Sequence, residues 1–305
     1  MPRGSDALYP APGAPLAVAP LEAKIELERR DLVVDGIRVA VFEGGTGEPC
    51  LLLHGYPESH RCWRRVVPEL SKSRRVFAPD WFGWGASERS LAVNLDYDSE
   101  VERIGKLLDE LGLGRVDLVG HDYGGFLSLG FAIRHPERVR RLAVLNSRAQ
   151  RTFSGISYFQ FGTLSFLAGS PLFGWLFDLL PHHAIHASKM RRYVANGAFS
   201  TDELDGYIGW LKEREGKRWF HHYWSFYRVD PRPELAVGAG RLAMPTALIW
   251  GDRDPYLPFE IAEELAASIP GARLTRIAGG DHYIVEERPA EVVVALQELL
   301  GRPAP

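Results

Sequence analysis

Asp122 stands at a position where a reactive side chain would be held in a sharp turn. Residues 116–119 have strand character, residues 120–125 read Gly-His-Asp-Tyr-Gly-Gly, and an apolar helical pattern follows at once. This is the spacing of a nucleophile elbow, a strand-to-helix turn in which small residues flank the reactive one. An ionised carboxylate needs no base to become nucleophilic. It can displace a leaving group from an sp³ carbon and form an alkyl ester.

Asp254 and His282 could hydrolyse such an ester. Each follows a predicted strand, and together with Asp122 they give the chain order nucleophile, acid, histidine. Because the active residues of parallel sheets lie at the carboxyl ends of the strands, we expect the three to meet. His282, oriented by the acid, would deprotonate the water that attacks the ester. Asp252 is an alternative for the acid.

The elements that would position these residues are strands alternating with helices. Continuous apolar runs predict buried strands at residues 50–53, 75–80, 141–146, 246–250 and 273–277. Helical spacing predicts helices at residues 97–111, 126–135, 259–268 and 289–300. An antiparallel hairpin is predicted at residues 24–42. The alternation predicts an α/β fold with a mostly parallel sheet flanked by helices.

The alternation stops between residues 147 and 241, a length far above that of ordinary connections. This segment is rich in aromatic residues and histidine and has helical periodicity, which predicts an inserted helical cap. The core is then formed by residues 21–146 and 242–305. Residues 1–20 are rich in alanine and proline and are predicted to be a flexible tail.

Composition excludes several classes of function. The 305 residues carry a formal net charge of -3 and no long basic run, which argues against nucleic-acid binding. The two cysteines, Cys50 and Cys62, have no ligand-like spacing and are expected to be buried, reduced thiols of a cytoplasmic protein. Residues 152–190 contain few charges, but proline, glycine and polar residues interrupt them. We therefore expect no membrane span and interpret them as lid helices with an apolar side facing a substrate.

Several motifs together identify a family. They are His54-Gly55-Tyr56-Pro57, residues 80–87 with their Gly-x-Gly-x-Ser ending, residues 120–125, Gly251-Asp252-Arg253-Asp254, and His282 followed by Glu286-Glu287-Arg288-Pro289. Over residues 33–300 the chain resembles the α/β-hydrolase superfamily, specifically its aspartate-nucleophile branch of epoxide hydrolases and haloalkane or haloacetate dehalogenases. The family's Gly-x-x-Asp spacing favours Asp254 over Asp252 as the acid. The resemblance also implies an oxyanion hole formed by the backbone N–H groups of Tyr56 and Tyr123.

The group that leaves in the first step distinguishes these enzymes. An epoxide oxygen departs as an alkoxide and needs an acid, which the family supplies as two cap tyrosines. The segment offers Tyr158, Tyr193, Tyr207, Tyr223 and Tyr227. Tyr158 and Tyr227 resemble the family's two tyrosine contexts. Either could instead be a packing aromatic residue.

The dehalogenase features are incomplete. Haloalkane dehalogenases place tryptophan directly after the nucleophile, where this chain has Tyr123, and haloacetate dehalogenases place arginines there to hold the substrate carboxylate. Both departures favour a small, apolar, uncharged substrate and an epoxide hydrolase that uses water.

Two other possibilities complete the sequence-based interpretation. A non-catalytic ligand-binding protein on the same fold is the alternative from another class of function. His182 and His186 lack the glutamate of a zinc motif, so we expect no metal and no cofactor. A homodimer is possible.

Overall fold

A single sheet forms the centre of the molecule. The computed structural model describes residues 27–153 and 155–304, so the predicted tail at residues 1–20 lies outside the described residues. The strands are β1 (Glu28–Val34), β2 (Ile37–Gly44), β3 (Glu48–Leu53), β4 (Arg74–Pro79), β5 (Val116–His121), β6 (Val139–Leu145), β7 (Thr246–Gly251) and β8 (Arg273–Ile277). Their order is β1-β2-β4-β3-β5-β6-β7-β8. The pairs that include β2 are antiparallel and the others are parallel, which confirms the predicted mostly parallel sheet.

The sheet begins with the predicted hairpin. Asp35 and Gly36 connect β1 to β2, and their φ angles are 54° and 75°. Two successive residues with positive φ are what a two-residue hairpin turn with the twist of its strands requires, and Asp-Gly suits it. The first strand starts at Glu28. The start predicted at residue 24 lies outside the described residues.

Helices cover both faces of the sheet. Those in the core sequence are α1 (Val67–Leu70), α2 (Tyr97–Glu110) and α3 (Tyr123–Arg134), followed after the insertion by α10 (Phe259–Ser268), α11 (Ile284–Glu287) and α12 (Pro289–Leu300). Between β6 and β7 lie α4 (Gly155–Gly169), α5 (Gly174–Leu179), α6 (His182–Ala195), α7 (Thr201–Ile208), α8 (Arg214–Phe226) and α9 (Glu234–Ala239). Asp96 caps the start of α2, because its side chain accepts a hydrogen bond from the Ser99 N–H. The apolar positions of α2 are buried, as its helical spacing predicts.

The helices between β6 and β7, called here the helical insertion, pack on loops that follow core strands. Trp219 and Tyr223 of α8 contact Trp84, which follows β4, with ring centroids 4.9 and 5.1 Å away. Tyr223 also stacks on Tyr56, which follows β3. The insertion therefore reaches the carboxyl end of the sheet, where the candidate catalytic residues are expected.

Part of the apolar surface of the insertion faces outward. Several large apolar side chains are exposed on α4, on α5 and between these two helices. They include Ile156, Phe159, Phe166, Leu172, Trp175 and Leu179. Along the described ranges of the chain, none of the helices combines the length and the apolar character that crossing a membrane requires. Cys50 and Cys62 are buried free thiols, as expected.

Candidate active site

The turn that carries Asp122 is held by close backbone packing. Asp122 has a φ of 47°, a left-handed conformation unusual for a residue with a side chain. A Cβ at Gly120 would lie 2.3 Å from the Gly124 carbonyl oxygen, so only glycine fits there. The Asp122 N–H donates to the Leu145 carbonyl at 3.0 Å, and the Ser147 hydroxyl donates to the Asp122 carbonyl at 2.6 Å. Bonds to the last residue of β6 and to Ser147, two positions after it, thus fix the strained turn between β5 and α3.

The structure brings Asp122, His282 and Asp254 together. His282 Nδ1 is 2.8 Å from Asp254 Oδ2, and His282 Nε2 is 3.8 Å from Asp122 Oδ1. Asp254 also accepts hydrogen bonds from the Asn146 side-chain amide and from two backbone N–H groups. Asp252 instead bonds the Gly279 N–H and an arginine near the surface. Asp254 is therefore the residue placed to orient the histidine.

The charges of these residues depend on one another. Burial alone would lower the pKa of His282. The neighbouring Asp254 and Asp122 carboxylates outweigh this effect and raise the pKa to about 9. Burial alone would raise the pKa of Asp254, yet the contact with His282 holds it below its ordinary value. With Asp122 ionised, the His282 imidazole is therefore protonated at neutral pH.

One of the two predicted oxyanion-hole donors already forms a hydrogen bond with the Asp122 carboxylate. The Tyr56 N–H donates to Asp122 Oδ2 at 2.9 Å. A Cβ at Gly55 would lie 2.6 Å from the Asp122 Cβ, so glycine lets the loop approach this closely. Tyr123 is the first residue of α3, where backbone N–H groups have no partner inside the helix. Its side chain points elsewhere, because its hydroxyl donates to the buried Glu100 carboxylate at 2.7 Å.

A buried ion pair behind the site was not predicted from the sequence. His121 Nδ1 is 2.8 Å from Glu58 Oε2, and His121 Nε2 is 2.9 Å from the His282 carbonyl oxygen. Both ring nitrogens face acceptors, so both donate and the ring is charged. Burial opposes both charges, but their attraction holds the pKa of Glu58 below and that of His121 above its ordinary value. Glu58 also accepts from the Gly55 N–H, so the pair joins the oxyanion loop to the histidine loop. The only sequence signal is that His121 lies within the motif at residues 120–125 and that Glu58 directly follows His54-Gly55-Tyr56-Pro57.

Asp122 and His282 lie in the wall of a largely apolar cavity of about 670 Å³, open mouth included. The other lining residues are Tyr56, Pro57, Phe153, Phe161, Leu164, Ile185, His186, Lys189, Met190, Trp224, Tyr227, Tyr256 and Tyr283. Most come from the helical insertion. An apolar cavity with a few converging polar groups is typical of a small-molecule site.

The structure brings only one of the two predicted leaving-group tyrosines to this cavity. Tyr227 lines it, whereas Tyr158 is 36% exposed and lines a different pocket on the outer side of α4. The structure therefore corrects the prediction that Tyr158 lies at the site. Phe161 and Leu164 are the α4 residues that line the cavity instead.

The Tyr227 phenol is protonated at neutral pH. Burial raises its pKa to about 12, and the Arg148 guanidinium 5.6 Å from its ring opposes that rise. A second phenol, Tyr56, is 2.5 Å from His186 Nε2. His186 Nδ1 lies 2.7 Å from the His182 carbonyl oxygen and must donate to it, so the Tyr56 hydroxyl donates to Nε2. Burial lowers the pKa of His186 to about 4, which agrees with a neutral ring.

Comparison with known proteins agrees with this geometry. The sequence model of the alpha/beta hydrolase fold family matches residues 48–289. The chain belongs to this family. It is an α/β hydrolase, as the resemblance implied.

Similar curated members of the family have several activities. The chain is 31% identical to a 2-hydroxymuconate semialdehyde hydrolase of Pseudomonas sp. (strain CF600), over 89% of this chain and 93% of that protein. It is 26% identical to a soluble epoxide hydrolase of Corynebacterium sp. (strain C12), over 88% and 95%. It is 28% identical to haloalkane dehalogenase 2 of Mycobacterium bovis, over 87% and 92%. Membership in the family therefore leaves the reaction to be argued from the site.

Proposed function

We propose that the protein is an epoxide hydrolase whose nucleophile is Asp122. The observation that carries this proposal is an aspartate at the elbow, in an apolar cavity that also holds the protonated phenol of Tyr227. Asp122 attacks a ring carbon, the carbon–oxygen bond breaks, and the departing oxygen takes the Tyr227 proton. The product of this step is a hydroxyalkyl ester of Asp122.

The second step hydrolyses the ester. Ester formation removes the Asp122 charge that helps to keep His282 protonated, so the ring releases its proton to bulk water and becomes a base when one is needed. It regains that proton from bulk water once the Asp122 carboxylate is restored. His282 takes a proton from water, the resulting hydroxide adds to the ester carbonyl, and the N–H groups of Tyr56 and Tyr123 stabilise the oxyanion. Collapse releases the diol, whose alkoxide takes the proton from His282. The new Asp122 carboxyl group loses its proton, which restores the Tyr227 phenol.

The arrangement of the chain in this proposal follows the sequence-based prediction. Residues 147–241 act as a cap over a core of residues 21–146 and 242–305. The packing of α8 on Tyr56 and Trp84 supports this division. The buried free thiols support a cytoplasmic enzyme. A homodimer stays a prediction.

The mechanism is tested with styrene oxide as the probe substrate. Asp122→Asn should abolish diol formation, and His282→Gln should slow it about a hundredfold or more while a covalent adduct accumulates. The adduct appears in intact-protein mass spectra as an increase equal to the mass of the epoxide. Asp252→Asn is the matched control, because this neighbouring carboxylate has no contact with His282, and it should keep its activity. Normal turnover without an adduct in His282→Gln would refute the mechanism.

Haloalkane dehalogenation is the second candidate, and Trp224 favours it. This residue lines the cavity, and its buried indole N–H lies near the Tyr56 hydroxyl without a well-formed hydrogen bond among the described residues. An unpaired N–H could hold a departing halide through the same ester chemistry. Bromide release from 1-bromohexane without diol formation from styrene oxide would establish this function. In that case Trp224→Phe should reduce bromide release strongly.

A further inference from the structure

Lys189 is a cation in the wall of the catalytic cavity. It lies on α6, is partly buried, and is surrounded there by apolar residues such as Phe161 and Met190. Its ammonium donates to the Gln160 side-chain oxygen at 2.8 Å and lies 5.4 Å from the centre of the Phe161 ring. Within residues 27–153 and 155–304, no carboxylate forms an ion pair with it. The side chain therefore lines the cavity, and its charge has no anion beside it among these residues.

The surroundings of Lys189 make this unpaired charge unfavourable in the free protein. Burial lowers the pKa of its ammonium, and no nearby carboxylate compensates for the lost hydration. The neighbouring cation Arg192 differs, because it is paired with Asp281 at 2.8 Å. A buried charge needs a partner, and a ligand in the cavity is a partner that Lys189 can still gain.

Asp122 and Lys189 lie in different settings in the cavity wall. Asp122 is 7% exposed, deep in the site, and would repel an anion placed beside it. The ammonium of Lys189 instead bonds the exposed side chain of Gln160, which places it toward the solvent side of the cavity. A substrate with an uncharged reacting end and an anionic far end matches both.

We propose that Lys189 binds a carboxylate at the far end of the substrate, which makes the substrate class an apolar epoxide that carries a remote carboxylate. This inference rests on the proposed function for the epoxide and deepens it. It revises the expectation of a wholly uncharged substrate, which was based on the absence of the dehalogenases' tryptophan and arginines after the nucleophile. The apolar residues between the two ends would bind the hydrocarbon part.

The charge recognition can be tested without turnover, using two inert probes of similar shape. Binding of 4-phenylbutanoate and of 4-phenylbutanamide is measured by tryptophan fluorescence, since Trp224 lines the cavity. The wild-type protein should bind the carboxylate about tenfold more tightly than the amide, as one charge-assisted hydrogen bond allows. Lys189→Met should remove this preference, and Lys189→Arg should retain it. Equal binding of both probes by the wild type, or an unchanged preference in Lys189→Met, would overturn the proposal.

Gln160→Ala provides the matched control. It breaks the hydrogen bond between α4 and α6 but leaves the charge in place, so the carboxylate preference should persist. Loss of the preference in Gln160→Ala to the same extent as in Lys189→Met would mean that Lys189 only bridges the two helices, and the proposal would fail. Because neither probe reacts, these results are independent of whether styrene oxide is turned over. Failure of the epoxide chemistry and failure of the charge recognition are therefore distinguishable.

Discussion

At the scale of single residues, the charge of Asp122 affects both steps of the proposed reaction. The ionised carboxylate is the nucleophile, and it also lies 3.8 Å from His282 Nε2. As long as that charge is present it helps to hold the pKa of His282 at about 9. The histidine is thus a poor base before the ester forms and a better one afterwards, which orders the two steps in time.

Removal of the Asp122 charge should therefore change the titration of His282. In Asp122→Asn the pKa of His282 should fall from about 9 toward its ordinary value, because one of the carboxylates that raise it is gone. The midpoint is measured by nuclear magnetic resonance of the labelled imidazole ring. Asp252→Asn, whose carboxylate does not contact the ring, should leave the midpoint unchanged. An equal midpoint in wild type and Asp122→Asn would show that the two residues are not coupled.

Part of this site can be predicted from the sequence, and the rest cannot for physical reasons. Asp122, Asp254 and His282 could be placed because each follows a strand, and parallel strands align their carboxyl ends. The Glu58–His121 ion pair could not, because it joins a loop residue to the last residue of β5, 63 positions further along the chain. No periodicity encodes such a contact.

At the scale of elements, the orientation of α4 was the least predictable feature. Apolar residues occur on every side of this helix, so periodicity could not indicate which side faces the cavity. The family resemblance places Tyr158 at the site, whereas Phe161 and Leu164 are the α4 residues that lie there. Packing against α8 decides the orientation. That information lies in another part of the chain.

One arginine connects the end of the helical insertion to the core. Arg148, just after β6, donates to the carbonyl oxygens of Arg228 and Asp230 at 2.7 and 3.1 Å. Its guanidinium also lies against the ring of Tyr227. It therefore fixes the backbone that directly follows the proposed acid.

Loss of Arg148 should impair ester formation more than ester hydrolysis. In Arg148→Met the Tyr227 segment loses two hydrogen bonds and the cation that opposes the rise of its pKa, so proton donation should slow about tenfold or more. Single-turnover measurements with styrene oxide separate the two steps. Arg228→Met is the control, because this exposed side chain bonds only to carbonyls of its own turn. An equal slowing of both steps would indicate general loosening of the fold instead.

At the scale of the whole molecule, β5 connects a reactive end to a structural end. Asp122 follows its last residue, while Asp117 near its first residue is fully buried between two arginines. Arg74 and Arg141 each lie 2.9 Å from one Asp117 oxygen. The same arginines donate to carbonyl oxygens at and after the end of α12, so they join the C-terminal helix to the sheet. The alternation of strands and helices predicted the sheet, but not this buried network.

Substitution at the structural end of β5 should lower the stability of the protein, whereas substitution at the reactive end should lower its turnover rate. Asp117→Asn keeps the shape of the side chain but leaves two nearly buried guanidinium groups without their carboxylate, which should lower the free energy of unfolding by about 3 kcal/mol. The turnover rate of the folded protein should stay unchanged, because the elbow lies at the other end of the strand. Thermal unfolding and steady-state kinetics measure the two effects. Asp109→Asn, which breaks an exposed pair with Arg138, should change stability by less than about 1 kcal/mol. A large fall in turnover with unchanged stability in Asp117→Asn would contradict this separation, because it would mean that the buried network also positions the nucleophile.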